Sequence, residues 1–140
     1  MSNYMFLIAP ITGWVSAQFI KVLLDLRKDG VQLSDAIASG GMPSSHTAGI
    51  AALTTVIGVQ EGLDSAIFGL AFTLLVVIIY DSAGVRRTTG ENALALRKIE
   101  KKLQLEPQQK IHIARGHSPE QVLAGLILGA IIGVILTNLL

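Results

Sequence analysis

The stretch that decides the fold is Val122–Leu140, VLAGLILGAIIGVILTNLL, which holds no charged residue in 19 positions. A helix needs about 20 consecutive apolar residues to cross the roughly 30 Å hydrocarbon core of a bilayer. Two further runs approach that length: Tyr4–Leu24, whose only charge is Lys21, and Leu63–Tyr80, whose only charge is Asp64 near its start. The sequence therefore predicts at least three membrane-crossing helices.

A fourth run, Thr47–Val59, is uncharged but shorter, so its length alone fits either a buried core helix or a crossing. Charged residues make up 15% of the chain, against about 25% in soluble domains. Helices that are apolar on all sides are rare outside large cores and membranes, which disfavours a soluble bundle. We expect residues 1–140 to form a single domain, an all-α integral membrane bundle with about four membrane-embedded helices plus short interfacial helices.

The expected helices and their limits follow from the apolar runs and the Gly, Pro and Ser signals between them. They are Tyr4–Leu26, a short helix at Val31–Ala38, a helix that opens at Gly41–Ser45 and ends near Gln60, Ser65–Tyr80, and the last apolar run. The first run lacks a basic segment ahead of it, so a retained membrane helix fits better than a signal peptide.

The polar stretch Asp81–Glu120 separates the last two membrane helices and contains a further helical pattern. Thr88 and Glu91 have the spacing of a capping box, and the apolar residues Leu96, Ile99 and Leu103 then recur among lysines and arginines. This pattern predicts a basic amphipathic helix. Such a helix fits the membrane surface and anionic lipid headgroups, and it fits equally a solvated helix whose apolar stripe packs against the protein.

The positive charges of the chain indicate its orientation. With four crossings, all 11 lysines and arginines fall in or beside the first and third connections, and the second, Glu61–Asp64, has none. Cytoplasmic loops carry the excess of Lys and Arg, so we expect that face to be cytoplasmic and both termini to lie on the opposite side. A net charge of +1 gives no indication of nucleic acid binding, and the absence of cysteine excludes a thiolate metal site and a cysteine nucleophile.

Three polar motifs on that face carry the candidate chemistry. The segment Gly40–His46, GGMPSSH, predicts a helix start where Ser44, Ser45 and free backbone amides suit a phosphate and where His46 can exchange a proton. The alternative is a capped turn with an interfacial histidine. The second motif follows Tyr80: Arg86 and Arg87 suit phosphate oxygens or anionic headgroups, and Asp81 fits a pairing or orienting role.

The third motif, Arg115–Gln121, RGHSPEQ, leads into the last helix. Ser118 fits the helix cap and Pro119 its first turn, and Glu120 is near enough in sequence to orient the imidazole of His117. Within the last helix, Gly125, Gly129 and Gly133 form overlapping G-x-x-x-G spacings. We expect these glycines to allow tight packing inside the bundle, with a homo-oligomer as the alternative.

Together these residues resemble the type-2 phosphatidic acid phosphatase and vanadium haloperoxidase superfamily. Pro43-Ser44-Ser45-His46 is similar to its P-S-x-H motif. The chain as a whole resembles the small divergent bacterial and plastid branch, from Gln18 and Lys21 through Asp81-x-x-Gly84-x-Arg86-Arg87 to Gly116-His117-x-Pro119. The resemblance covers nearly the whole chain.

The resemblance implies an all-helical bundle that hydrolyses phosphate esters without a metal or other cofactor. By position it implies that His117 is the nucleophile, that His46 protonates the leaving oxygen, and that Lys21 with Arg86 or Arg87 binds the phosphoryl oxygens. From the motifs themselves we expect Arg27, Ser44 and Ser45 also to suit the phosphate. Glu120, Asp81 and Arg115 fit an orienting role. The substrate would be a membrane lipid or isoprenoid phosphate or diphosphate.

The chain also departs from the superfamily pattern. No proline follows Arg27, and Gln121 stands four positions after His117, where the superfamily has an aspartate. A second class of function therefore stays open, a non-catalytic membrane protein that binds lipid headgroups or phosphate, or an assembly factor. Bis-histidine haem ligation fits less well because His46 and His117 lie at helix starts among cations.

Overall fold

The computed structural model describes residues 4–27, 41–103 and 117–139, and for residues 86 and 87 only the backbone. These residues form helices and turns and no strand, which confirms the all-α prediction. The helices are α1 Met5–Asp25, α2 Ser45–Gln60, α3 Ala66–Tyr80, α4 Arg86–Lys102 and α5 Pro119–Leu139, and the π-helical turn Asp81–Val85 joins α3 to α4. The short helix predicted at Val31–Ala38 lies outside the described residues.

Three of these helical segments are long and apolar enough to cross a membrane: α1, the continuous helix Ala66–Lys102, and α5. The chain is thus an integral membrane protein, as the apolar runs predict. Most side chains of α3 are exposed, and only Ala71 and Leu75 are buried. A helix with so few buried positions and so high an apolar content is stable in a bilayer because its outer surface contacts lipid.

Helix α2 is the centre of the bundle and packs against α1, α3 and α5. Ten of its 16 residues are buried. It is only about 24 Å long at about 1.5 Å per residue. Its ends nevertheless reach both ends of the bundle, because the Ser44 amide donates to the Gln121 carbonyl at the start of α5, whereas Gln60 contacts Met5 at the start of α1. A short apolar run is sufficient here because the other helices shield α2 from lipid.

The four membrane helices therefore alternate in direction along the chain. Helix α1 ends, α2 begins, α3 ends and α5 begins at the same end of the bundle, which we call the polar end. The opposite end holds the apolar cluster of Met5, Ala9, Ala52 and Val56, with Leu136 of α5 packed against it. The beginning of α1 and the last turns of α5 thus lie away from the polar end.

Small residues bring α5 and α1 into direct contact with the backbone of α2. A Cβ atom added to Gly125 would lie 2.5 Å from the Ser44 carbonyl oxygen, and one on Gly133 would lie 2.8 Å from the Ala52 carbonyl oxygen. A Cβ on Gly129 would overlap the Ala48 carbonyl oxygen, which a Cβ on Gly13 of α1 would approach to 2.6 Å. The prediction that the glycine spacing serves packing inside the bundle is confirmed. Within lipid, such close van der Waals contact is a main force that joins helices.

The prediction that the helix beginning at Ser65 ends at Tyr80 is wrong, and so is the predicted capping box at Thr88. The helix continues through the π-helical turn, and Thr88 lies inside α4, where its hydroxyl donates to the Gly84 carbonyl (3.2 Å). Thr89 likewise donates to the Val85 carbonyl (2.8 Å). Both hydroxyls bond one turn back along the chain, so neither caps a helix start.

The predicted amphipathic helix is part of α4, and its apolar side chains are exposed. Leu96 is 55%, Ile99 52% and Leu103 62% exposed. Among the described elements, α4 packs mainly against the π-helical turn before it. The apolar stripe therefore does not pack against the described part of the protein, which removes one of the two expected roles for this helix within that part.

The glycine contacts predict a matched pair of stability effects. Gly129→Ala should lower stability by about 1–3 kcal/mol, because the added methyl group meets the Ala48 backbone, which cannot move aside. Gly69→Ala is the control, since nothing lies within 4 Å of a Cβ at that position of α3. Alanine there should be neutral or stabilising by up to about 1 kcal/mol. Unfolding in mixed micelles, followed by circular dichroism, measures both, and equal effects of the two changes would contradict the proposed packing.

Candidate functional site

Polar residues from four helix ends meet at the polar end of the bundle. The connections are backbone hydrogen bonds: Ser44 N–H to the Gln121 carbonyl (3.0 Å) and His117 N–H to the Ser82 carbonyl (3.2 Å). The first joins the start of α2 to the start of α5, and the second joins the start of α5 to the π-helical turn after α3. The structure thus brings together the motifs that lie far apart in the sequence.

The end of α1 contributes a buried charged pair. Lys21 is 6% and Asp25 7% exposed, and they interact electrostatically, one helical turn apart. Gly41 covers this pair, because a Cβ there would lie 2.7 Å from Lys21 Cγ and 3.0 Å from Asp25 Oδ2. The backbone at Gly41 therefore closely approaches both Lys21 and Asp25. The lysine stem is therefore held in place beside the start of α2.

The start of α2 is formed by buried serines. Ser44 is fully buried and is the N-cap of α2, as the motif predicts, and its Oγ accepts from the Thr47 backbone amide (3.5 Å) and the Thr47 hydroxyl (3.0 Å). Ser45 is also buried, whereas His46 is exposed. The Ser44 hydroxyl is thus engaged in capping, and the groups at this position that suit an anion are the amides of the first turn, which have no carbonyl partner within the helix.

The start of α5 forms a capping box that sequence analysis missed. Ser118 N–H donates to Gln121 Oε1 (3.0 Å), and Gln121 N–H donates to Ser118 Oγ (3.4 Å). Ser118 and Gln121 have the S-x-x-Q spacing of this motif, which was the available signal. The glutamine that stands in place of the superfamily aspartate therefore holds the helix start that follows His117. Pro119 is the first residue of α5, as predicted.

The backbone of His117 is tied to the π-helical turn. Its amide bonds to the carbonyl of Ser82, which is 3% exposed within the π-helical turn, and its Nδ1 atom is buried. π-Helical turns are rare and occur frequently at functional sites. The turn separates α3 from Arg86 and Arg87, which begin α4 and whose side chains are not described. Asp81 is the first residue of this turn and is partly buried.

The electrostatics of the polar end favour an anion. Helices α2 and α5 run in the same direction, so both N-termini face this end, and each is equivalent to about half a positive charge. The hydrogen bond from Ser44 to Gln121 shows that the two N-termini are adjacent. Lys21 lies beside the first of them, under Gly41. A phosphate placed here would meet amide donors and two helix dipoles, beside the Lys21–Asp25 pair.

The other predicted site residues are less central. Arg27, just beyond α1, and Glu120, in the first turn of α5, are both exposed, and the orienting role expected for Glu120 stays a prediction. Arg115 lies outside the described residues. The residue that sequence analysis missed is Asp25, although its position four after Lys21 places both on one face of α1. Among the described residues, no three His, Cys, Asp or Glu side chains are grouped closely enough to hold a metal ion.

His46 faces a groove between α1, α2 and α3. The groove has a volume of about 540 Å³, and its walls include Trp14 of α1, Ile50 of α2 and Ile78 of α3. Ser45 and His46 are its polar lining residues. The second candidate histidine is therefore at a boundary between the polar end and the apolar surface of the bundle.

The charged pair predicts a coupling between Lys21 and Asp25. Asp25→Asn should lower stability by up to about 3 kcal/mol because it leaves a buried ammonium group without its carboxylate. Lys21→Met combined with Asp25→Asn should recover part of that loss. Unfolding free energies of the two single variants and the double variant give the coupling energy. Additivity within about 0.5 kcal/mol would show that the two groups do not stabilise each other.

Comparisons with known proteins extend over almost the entire chain. Residues 1–132 match the model of a family described as the Divergent PAP2 family. The chain is also 31% identical, over an alignment of 147 residues, to an uncharacterized membrane protein, YuiD, of Bacillus subtilis (strain 168). That alignment covers 93% of this chain and 92% of the Bacillus protein. No solved structure matches the chain. With a bundle of apolar helices that alternate in direction along the chain, a P-S-S-H helix start and a match over nearly all of its length, the chain belongs to the Divergent PAP2 family.

Proposed function

We propose that the chain is a membrane phosphomonoesterase that hydrolyses a lipid or isoprenoid phosphate or diphosphate through a phosphohistidine. The observation that carries this proposal is the meeting of two helix N-termini, Lys21 and two histidine-bearing segments at one end of the bundle. Membership of the Divergent PAP2 family supports the same chemistry. In phosphoryl transfer, positioned donors and cations supply most of the catalysis.

In the first step, His117 attacks phosphorus, so that a P–N bond forms while the bond from phosphorus to the leaving oxygen breaks. His46 donates a proton to that oxygen, and the alcohol, or the monophosphate when the substrate is a diphosphate, is released. Lys21, Arg86 and Arg87 balance the charge on the three equatorial oxygens, together with first-turn amides of α2. A histidine suits the proton transfer because its ordinary pKa is about 6.5.

In the second step, water attacks the phosphohistidine. His46, now neutral, accepts a proton from that water, the P–N bond breaks, and inorganic phosphate leaves. His46 thus acts first as the general acid and then as the general base, and water is the only further reactant needed to regenerate the enzyme. The hydrogen bond from the His117 amide to the Ser82 carbonyl holds the backbone of the nucleophile in the same position through both steps.

The orientation that fits this activity has the polar end at the cytoplasmic face and both termini outside, because all lysines and arginines are on that side of a four-crossing chain. The basic residues Arg97, Lys98, Lys101 and Lys102 of α4 are exposed. We propose that they contact anionic lipid headgroups near the substrate.

One observation favours a second candidate, a lipid-headgroup or phosphate-binding protein without catalysis. Gln121 supplies an amide oxygen to the helix cap at the position where the superfamily has an acid. That position offers no carboxylate to hold the imidazole of His117. A binding protein would still need Lys21 and the helix N-termini, but it would not need His117.

Activity distinguishes these two candidates. Wild-type protein in detergent, with a chelator present, should release phosphate from lipid monophosphates. His117→Ala should abolish turnover, and His46→Ala should lower kcat by about 10²-fold or more. His112→Ala is the matched control, since the third histidine has no assigned role. Rapid acid-free quenching with labelled substrate should trap phosphate on the wild-type protein and not on His117→Ala. Turnover that survives His117→Ala would exclude the phosphohistidine, and folded wild type without turnover would favour the binding protein.

Cysteine labelling tests the orientation, because the native chain has no cysteine. Glu61→Cys and Arg97→Cys are both at exposed positions, in the turn after α2 and in α4. In intact cells a membrane-impermeant maleimide should label Glu61→Cys and leave Arg97→Cys unlabelled until the cells are opened. The reverse pattern would invert the topology, and equal accessibility of both sites in intact cells would contradict the four-crossing arrangement.

A further inference from the structure

The groove between α1, α2 and α3 is continuous with the candidate site at one end only. Ser45 and His46 stand at that end, and the rest of its lining is apolar, including Trp14, Ile50 and Ile78. From His46 to Ile50 the groove follows α2 for about 6 Å, at about 1.5 Å per residue, toward the interior of the bundle. It therefore extends from the polar end into the hydrocarbon region of the membrane.

The groove is open to lipid along α1. Ile11 is 61%, Trp14 47% and Val15 50% exposed, and all three line it. On the opposite wall, Gly49 keeps α2 close to α1, since a Cβ there would lie 3.0 Å from the Pro10 carbonyl oxygen. The groove is thus shallow, polar at the end next to the candidate site and apolar along the rest of its length. Its side along α1 is open to the bilayer.

We infer that this groove binds the hydrocarbon chain of the substrate while the phosphate occupies the polar end. This inference rests on the proposed function, because His46 there protonates the leaving oxygen and the chain is attached through that oxygen. The chain must then leave the site past His46, and the groove is the apolar surface that His46 lines. A single-chain lipid or isoprenoid phosphate fits this arrangement, with its headgroup at Lys21 and its chain along Trp14.

A second cavity in the described residues supplies an internal comparison. It lies between α2, α3 and α5, has a volume of about 430 Å³, and is lined by apolar residues such as Leu63, Phe68 and Phe72. None of the candidate site residues lines it. A chain bound there would be separated from the phosphate site, since Leu63 belongs to the turn at the other end of α3. Continuity with the site is what distinguishes the α1–α2–α3 groove.

Trp14 is the only tryptophan of the chain and reports directly on this groove. Wild-type protein in nanodiscs would be mixed with a low mole fraction of a single-chain alkyl phosphonate brominated in its chain, which cannot be hydrolysed. The same mole fraction of an equally brominated phosphocholine lipid is the reference. We expect the phosphonate to quench Trp14 fluorescence at least twofold more, because bromine quenches only at close contact and the phosphonate is held at the site.

Two variants test whether the groove itself causes this selectivity. Ile11→Phe fills the groove and should reduce the ratio of quenching by the phosphonate to quenching by the phosphocholine lipid from about two to about one. Val15→Phe fills the same groove and serves if the first variant does not fold. Ile131→Phe is the matched control, because Ile131 is 52% exposed on α5 and lines neither cavity. It should retain the wild-type ratio. Ile11→Phe should also lower kcat/KM for long-chain phosphates at least threefold more than for a short-chain phosphate.

The outcomes separate this inference from the proposed function. Equal quenching by the two brominated lipids, in protein that hydrolyses lipid phosphates, would overturn the groove assignment and leave the phosphatase. Selective quenching that Ile11→Phe removes, in protein without turnover, would support chain binding in the groove and exclude the reaction. Selective quenching that survives both fillers would also overturn the assignment, because the chain would then contact Trp14 from outside the groove.

Discussion

The contact on which the rest of the structure depends is the packing of α5 against the backbone of α2. Gly125, Gly129 and Gly133 face the carbonyl groups of Ser44, Ala48 and Ala52, so the two helices touch without intervening side chains. Since α2 and α5 run in the same direction, this contact places two helix N-termini side by side. Adjacent parallel dipoles repel each other, and in lipid no water screens them. The close glycine contact offsets that repulsion and holds the two N-termini together at the polar end.

The packing of α5 on α2 positions the candidate site through backbone hydrogen bonds. When α5 is fixed against α2, the Gln121 carbonyl accepts from the Ser44 amide, and His117 is brought to the Ser82 carbonyl of the π-helical turn. Loop residue Gly41 then closes over Lys21 and Asp25. Each of these steps uses a main-chain group or a missing side chain. Main-chain hydrogen bonds and close glycine contacts therefore assemble the polar site among apolar helices.

Sequence patterns predicted the features that depend on local chemistry. Apolar run length gave the membrane helices, Pro43-Ser44 and Ser118-Pro119 marked two helix starts, and the glycine spacing indicated close packing. The prediction failed where a tertiary or longer-range choice decides the outcome. The continuation of the helix past Asp81 could not be predicted locally, because Ser82, Gly84 and the segment Thr88–Gly90 are weak helix formers, whereas in the structure the π-helical turn contacts His117. Asp25 was missed because a lone acid near a helix end is usually solvated, and only the position of Gly41 shows that it is buried.

Gln121 illustrates how the divergent branch differs physically from the superfamily pattern it resembles. An aspartate at this position would present a carboxylate to the histidine four residues before it, whereas glutamine is longer and its amide oxygen reaches the Ser118 amide. The side chain thus stabilises the first turn of α5, where Pro119 already lacks an amide to bond. The position of His117 is then set by a rigid helix start on one side and the Ser82 carbonyl on the other. In this chain the same position supports the helix start, and the hydrogen bond from the His117 amide to Ser82 joins that helix start to the π-helical turn.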